Sequence, residues 1–257
     1  MNWNFAKAME NVISANENHA LGPILSIHQA SFGYGAEPIV EIEKLEVHSH
    51  EVVALVGPSG CGKTTVLATI AGMRDPVSGT LEILGCAREA IWRAQNTART
   101  VQSFPLFHWL TVRQNLELAC KIRGVTIDHV DGLLGQFSAS HIADRFPKAL
   151  SGGERCRASL AQAAVASPKL VLLDEPFTGL DTLVKEDVAE SLFAFANNTR
   201  IGVVLVTHDL NDAVSFSQRI VVLGGRPLTR VLAEVSSTDP NALQTIRQLH
   251  RRYAHAN

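Results

Sequence analysis

Apolar and polar positions change their pattern several times along the chain. From Leu25 to Phe32 and from Ile39 to Val47 they alternate in short blocks, which predicts half-buried antiparallel strands. Val52–Val56 reads VVALV, apolar throughout, as a central strand covered on both faces should be. Leu170–Leu173 and Val203–Val206 have the same character, and each runs into polar residues, Asp174-Glu175 and Thr207-His208-Asp209. Buried strands separated by helices, with polar groups at their C-terminal ends, predict an open parallel α/β sheet with its site along one edge.

Between the first and second of these strands the period becomes helical, at Thr111–Ile122, Ile127–Phe137, His141–Phe146 and a long Ala-rich run from Ser151. The pattern predicts an all-helical insert over about 103–166 in the α/β core. Residues 1–24 read as an N-terminal extension in which Phe5, Ala8, Met9, Val12 and Ile13 mark an amphipathic helix. Its polar face has Lys7, Glu10 and several Asn but no basic cluster for lipid headgroups, so packing on its own domain is the expectation. Residues 236–257 form a tail: Asp239-Pro240 is a helix-start signal, and Leu243, Ile246 and Leu249 give the apolar stripe. Arg247, Arg251 and Arg252 near its end suit the helix dipole.

Composition narrows the function classes. The 257 residues are 46% hydrophobic and 19% charged, with a formal net charge of −2, so nucleic acid is not the expected partner. No run of eighteen or more apolar residues could span a bilayer. Cys61, Cys86, Cys120 and Cys156 stand singly without a CxxC pair, and the first twenty residues lack the apolar core of a secretory signal. A reducing cytosolic setting, free thiols and no structural zinc are expected.

Candidate chemistry begins where Val52–Val56 ends. Gly57-Pro58-Ser59-Gly60-Cys61-Gly62-Lys63-Thr64-Thr65 fits G-x-x-x-x-G-K-[ST] between a buried strand and a helix. Glycines at 57, 60 and 62 let the backbone curl so that successive N–H groups face inward, and the helix brings its positive end to the same place. Lys63 can reach the β- and γ-phosphates and the Thr64 hydroxyl can ligate Mg²⁺, so this is a nucleoside triphosphate site. Cys61 lies beside that helix end, which should lower its thiol pKa. Asp174 is placed to hold Mg²⁺, directly or through water, and Glu175 to polarise a water attacking the γ-phosphate.

A further string, Leu150-Ser151-Gly152-Gly153-Glu154-Arg155, stands before a helix and ahead of Asp174. By itself it would be a turn with a serine cap. Between the two nucleotide motifs it closely resembles the signature of the ATP-binding cassette (ABC) ATPases. The resemblance covers about residues 25–235. It implies a P-loop NTPase core with an antiparallel β subdomain and a helical insert, binding ATP and Mg²⁺. It also implies roles residue by residue. Gln102 resembles the glutamine that senses Mg²⁺ and the attacking water, and His208 the switch histidine at the γ-phosphate. Thr178-Gly179-Leu180-Asp181 looks like the loop that communicates between sites, and Tyr34 like the aromatic on which adenine stacks. Ser151, Gly152, Gly153 and Glu154 would act on the ATP of an opposing subunit, so two chains would sandwich two nucleotides.

Three positions depart from the family pattern. Glu154 stands where many members have Gln, His50 replaces a glycine before the phosphate-loop strand, and Val101 replaces a larger residue before Gln102. Histidine tolerates a positive φ comparatively well. Within the family, Phe107–Val112 (FHWLTV) and Gly225-Arg226-Pro227 look most like the nitrate, sulfonate and taurine importer ATPases. Those imply a dimer beneath integral membrane permease subunits, on the cytoplasmic face of the cell membrane, served by an extracytoplasmic solute-binding protein. Phe104, Leu106, Phe107 and Trp109 could form a groove for a permease helix, or pack the core against the helical insert. The alternatives are a soluble ABC ATPase outside transport, though no coiled coil, second cassette or basic face is visible, and a non-hydrolysing module, which Glu175 and His208 argue against.

Overall fold

The computed structural model describes residues 22–87, 97–100 and 106–254. The N-terminal amphipathic stripe, Gln102, Val101 and Phe104 lie outside the described residues. In chain order the strands and helices are β1 (Leu25–Tyr34), β2 (Glu37–Val47), β3 (Val52–Val56), α1 (Lys63–Ile70), β4 (Ser78–Ile83), β5 (Cys86–Ala87) and β6 (Thr97–Thr100). Then follow α2 (Val112–Arg123), α3 (Val130–Gln136), α4 (Gly152–Ala164), β7 (Leu170–Asp174), α5 (Thr182–Thr199) and β8 (Gly202–Val206). The chain continues through α6 (Leu210–Ser215), β9 (Arg219–Gly224), β10 (Thr229–Ser236) and α7 (Ala242–Ala254).

One sheet runs β5-β4-β1-β2-β10-β9-β3-β8-β7-β6. Its half from β9 to β6 is parallel throughout. The β5-β4-β1-β2 half is antiparallel, and β10 bridges the two by pairing parallel to β2 and antiparallel to β9.

Strand alternation explains how the apolar runs serve two layers at once. In β3, Val53 and Leu55 enter the core shared with the antiparallel half and α1, while Ala54 and Val56 face α6 and α7. In β7, Leu170 and Leu172 join the first of those cores and Val171 and Leu173 the core beneath α2 to α5. Each fully buried Val or Leu contributes about 1.5–3 kcal/mol relative to exposure, so the central strands are the rigid support for whatever follows them. Helix α1 is itself buried on every position but Thr64, the pattern of a helix inside a core.

Several local expectations change in the structure. His141–Phe146 is not an α-helix; only Ser140–Ile142 forms a 3₁₀ turn, and Pro147–Ala149 another. The second helix of this region begins at Val130, not Ile127, and contains Gly132 and Gly135. His50 has φ 61, so the turn before β3 does require the left-handed region that its histidine occupies. The tail helix begins at Ala242, after Asp239 Oδ1 accepts the Asn241 N–H at 2.8 Å.

Candidate active site

Gly57 to Gly62 leave the end of β3 and turn into α1 through left-handed conformations at Gly60 (φ 80) and Gly62 (φ 93). The loop is also too tight for side chains. A Cβ at Gly57 would stand 2.5 Å from the Leu223 carbonyl, and one at Gly62 would stand 2.3 Å from Val40 Cγ2. At Gly62 no side chain caps the helix and its first turn holds no acidic residue, so its leading N–H groups and positive end remain open to an anion. Lys63 is buried and its Nζ donates to the carbonyls of Gly57 (2.8 Å) and Pro58 (3.0 Å). The Pro58 carbonyl also accepts the Cys61 N–H at 3.2 Å. Ser59 and Gly60 form the exposed crest, and Thr65 faces the buried side of the helix.

The thiol of Cys61 overturns one expectation. Burial pushes its pKa up, and the nearby Lys63 ammonium, with Nζ 3.9 Å from Sγ, only opposes that shift. The helix end does not win because the sulfur turns into the loop, where a Cβ on Gly57 would meet it at 2.9 Å.

Thr64 is the exposed position of α1, and its Oγ1 lies 3.5 Å from Oδ1 of the buried Asp174 at the end of β7. A hydroxyl and a carboxylate converging beside an anion cradle are the oxygen donors Mg²⁺ takes from protein when phosphates supply others. No cluster of three or more His, Cys, Asp or Glu side chains that could hold a metal occurs among the described residues. The Thr64 hydroxyl and the Asp174 carboxylate are hard oxygen donors of the kind that fits Mg²⁺.

Glu175 adopts φ 52, a conformation that costs a non-glycine residue about 1–2 kcal/mol, and its N–H is held by Val206 O at 2.9 Å. This turn aims the carboxylate differently from that of Asp174 one residue earlier. Glu175 Oε2 lies 2.6 Å from His208 Nδ1 and accepts from Thr178 Oγ1 at 3.0 Å. A carboxylate can only accept, so Nδ1 carries the hydrogen and Nε2 is left for another partner.

Ser151 to Glu154 and Asp181 form a second cluster. Ser151 Oγ accepts the Glu154 N–H (3.2 Å) and Glu154 Oε2 accepts the Ser151 N–H (2.7 Å), a full capping box at the start of α4. That N–H bond comes first in holding the Glu154 carboxyl below the usual carboxylate range, with the Arg145 guanidinium (2.9 Å) and its charge adding to it. Carboxylate at this position is thus locally supported. A Cβ on Gly152 would meet Leu180 Cδ2 at 2.8 Å and one on Gly153 would meet Val184 Cγ1 at 2.3 Å. These glycines therefore also let α4 pack on the start of α5, where Asp181 Oδ1 caps by accepting the Val184 N–H at 3.1 Å.

Tyr34 ends β1 with its ring 55% exposed, and the Arg74 guanidinium lies over it, 4.2 Å from the centroid. Residues outside the sequence-derived set complete the surroundings: Thr178 on Glu175, Arg74 on Tyr34, and Lys185 with Asp209 and Asp212 beside His208. Thr178 had a signal in the Thr-Gly-Leu-Asp string and Asp209 in the polar cluster that ends its strand; Arg74, Lys185 and Asp212 had none, because their contacts form across folds of the chain.

Beyond the site, Phe107, Leu118, Ala119, Ile122, Gln162 and Val165 line part of a groove of about 260 Å³. The loop entering α2 is pinned there by buried Asn115, whose Oδ1 accepts the Phe107 N–H (2.7 Å) and whose Nδ2 donates to the Phe107, Leu110 and Thr111 carbonyls.

Residues 41–178 match the family model for the ABC transporter. An ATP-binding protein of Brucella abortus is 34% identical over 212 residues, 80% of each chain. The spermidine/putrescine import ATP-binding protein PotA of Pseudomonas aeruginosa is 35% identical over 206 residues, 78% of this chain and 57% of PotA. Among solved structures, the ATP-binding subunit of an ABC transporter aligns with TM-score 0.72 and 27% identity over 87% of this chain and 94% of that one. The fold is also that of cbiO1 from Clostridium perfringens, part of the ABC transporter complex cbiONQ, with TM-score 0.76 and 22% identity over 90% and 95% of the chains.

Proposed function

The chain belongs to the ABC transporter family of ATP-binding proteins and is an ATPase of that family, and from this we propose that it is the ATP-hydrolysing subunit of a membrane importer. The observation that carries the reading is the division of labour at the end of β7. Asp174 turns toward Thr64 of the cradle, and Glu175, through its left-handed backbone, turns toward His208.

In the proposed cycle ATP enters with its phosphates on the open N-terminus of α1. Lys63 exchanges its bonds to the Gly57 and Pro58 carbonyls for bonds to the β- and γ-phosphates. Thr64 and Asp174, with Gln102 as a third ligand, would hold Mg²⁺, which neutralises phosphate charge when bound. Glu175 accepts a proton from the attacking water as its oxygen bonds to the γ-phosphorus and the bond to the bridging oxygen of ADP breaks. With Nδ1–H held by Glu175, His208 would donate Nε2–H to the γ-phosphate in its imidazolium form, the only form in which both ring nitrogens are donors. Tyr34 supplies the stacking face for adenine. Ser151–Glu154 and Asp181 of a second protomer close the site from across a homodimer.

Coupling to transport would run through the groove beside α2. Phe107 and Ile122 are exposed in its lining, with exposed Trp109 packed beside Phe107 at 5.0 Å between ring centroids, and we assign them to a short amphipathic helix of an integral permease subunit at the cytoplasmic face of the inner membrane. No helix among the described residues is long and apolar enough to cross a membrane. The finer reading, a small solute such as nitrate, sulfonate or taurine delivered by an extracytoplasmic binding protein, is supported by the Phe107–Val112 and Gly225–Pro227 strings.

Phosphate release by the purified chain tests the nucleotide assignment. Wild type should turn over ATP with Mg²⁺, Lys63→Ala should bind ATP weakly and release none, and sustained turnover in Lys63→Ala would overturn the site.

A further inference from the structure

Lys185 lies one turn into α5, its N–H bonded to the Asp181 carbonyl at 2.9 Å. Its ammonium reaches across to the neighbouring loop and helix. Nζ stands 2.9 Å from each carboxylate oxygen of Asp212 and 3.4 Å from Asp209 Oδ2. An ammonium has three protons, and here three carboxylate oxygens surround it, so its donor capacity is filled by one short segment. Asp209 divides its own oxygens. Oδ1 caps α6 by accepting the Asn211 N–H at 2.9 Å, leaving Oδ2 for Lys185. Both ends of the contact are largely buried, with side-chain exposures of 16% for Lys185 and 10% for Asp212.

The elements joined in this way matter more than the pair itself. Asp209 directly follows His208, whose Nδ1 bonds Glu175. The other end is the first turn of α5, where Val184 fills the space beside Gly153, just after Leu180, which fills the space beside Gly152. Lys185 is therefore a direct ionic link between the helix start that supports the glycines of α4 and the loop that carries the histidine.

We propose that Lys185 is a positioning residue for ATP hydrolysis, tying the 207–212 loop, and with it His208 against Glu175, to the first turn of α5. This deepens the hydrolytic reading and rests on it. The charged groups acting on Asp212 are Lys185 from α5 and Asp209 and His208 from its own segment, while Arg247 from α7 reaches the neighbouring Asn211 at 3.5 Å. Without Lys185, burial and Asp209 would push the Asp212 carboxyl further up, and a charged, unpaired Asp212 would drive the loop from its place.

Three variants test the tie: Lys185→Met, Lys185→Arg, and Lys185→Met with Asp212→Asn. Lys185→Met should lower kcat about tenfold or more, since a displacement on the ångström scale is enough, while KM and the Kd for ATP stay within about twofold. Its residual rate should climb as pH falls, because protonation relieves the unpaired Asp212. Lys185→Arg should restore kcat. The double variant removes the buried charge of Asp212 and leaves Asp209 partly exposed with its Asn211 N–H bond, so it stays folded even if Lys185→Met does not; its kcat should remain low and its rate should lose that pH dependence. Wild-type kcat in either folded variant would overturn the proposal, as would a parallel loss of ATP affinity that arginine fails to rescue. Failure of the hydrolytic reading is separate, since it would appear as absence of turnover in the wild type itself.

Discussion

The N-termini of α1 and α4 are built in opposite ways, although the sequence opens both with glycines. At α1, Gly62 sits at φ 93 without a side-chain cap, no acid occupies the first turn, and a lysine is the first helical residue. At α4, Ser151 and Glu154 cap each other's N–H groups, and the first turn is acidic. The start of α2 resembles α4, with a box between Thr111 and Gln114. A helix end carries roughly half a positive charge, and a serine cap stabilises it by about 1 kcal/mol. The α1 end forgoes that stabilisation and keeps its donors free, whereas α4 satisfies two of its own. In the proposed site the first would receive phosphate directly, while the second, preorganised from within, would present the remaining groups of Ser151, Gly152 and Gly153.

The largest effect should come from closing the α1 end. Gly62→Ala forces a side chain to φ 93 and places its Cβ 2.3 Å from Val40 Cγ2. Backbone strain of about 1–3 kcal/mol, added to by that contact, should cut ATP affinity by about fivefold to a hundredfold, measured by nucleotide titration. Alkylation of Cys61 comes next. Because burial raises its pKa, labelling at neutral pH should be slower than for a free thiol, speed up as pH rises, and be suppressed by MgATP. Labelling indifferent to MgATP would place the phosphates elsewhere. Ser151→Ala should cost only about 1 kcal/mol in thermal unfolding and leave ATP binding to the isolated chain unchanged.

The smallest effect is the charge on Glu154. Its folded pKa is depressed, first by the Ser151 N–H, so its contribution is present above the unfolded value and lost as pH falls through the folded one. The stability difference between wild type and Glu154→Gln should therefore shrink below about pH 4.

The fold class was legible because each central strand is apolar on both faces and ends in chemistry. Leu170–Asp174 serves two cores by alternation, and that requirement is written residue by residue. The tight turn at Gly57–Gly62 was legible because its glycines answer backbone demands that no other residue meets. Contacts between distant segments were not. Lys185 and Asp212 are separated by 27 positions and meet only because α5 and α6 return to adjacent strand ends. The α-helix read at His141–Phe146 fails in the structure, where Arg145 turns to Glu154 and the Ala149 carbonyl. The direction of the Cys61 shift was misread because proximity to a helix end was visible in sequence and burial of the sulfur was not.

The contrast between an open α1 and a self-capped α4 is tested most directly by trapping their meeting across two chains. Glu175→Gln keeps the side chain's size but removes the proton acceptor, so ATP should bind without turning over. Sedimentation or size-exclusion of this variant should show a dimer with ATP and a monomer without it, since a ligand spanning an interface favours assembly by mass action. Adding Ser151→Arg should abolish the dimer while leaving ATP bound to α1. A Glu175→Gln chain that binds ATP tightly yet stays monomeric, alone and with its permease present, would contradict the account.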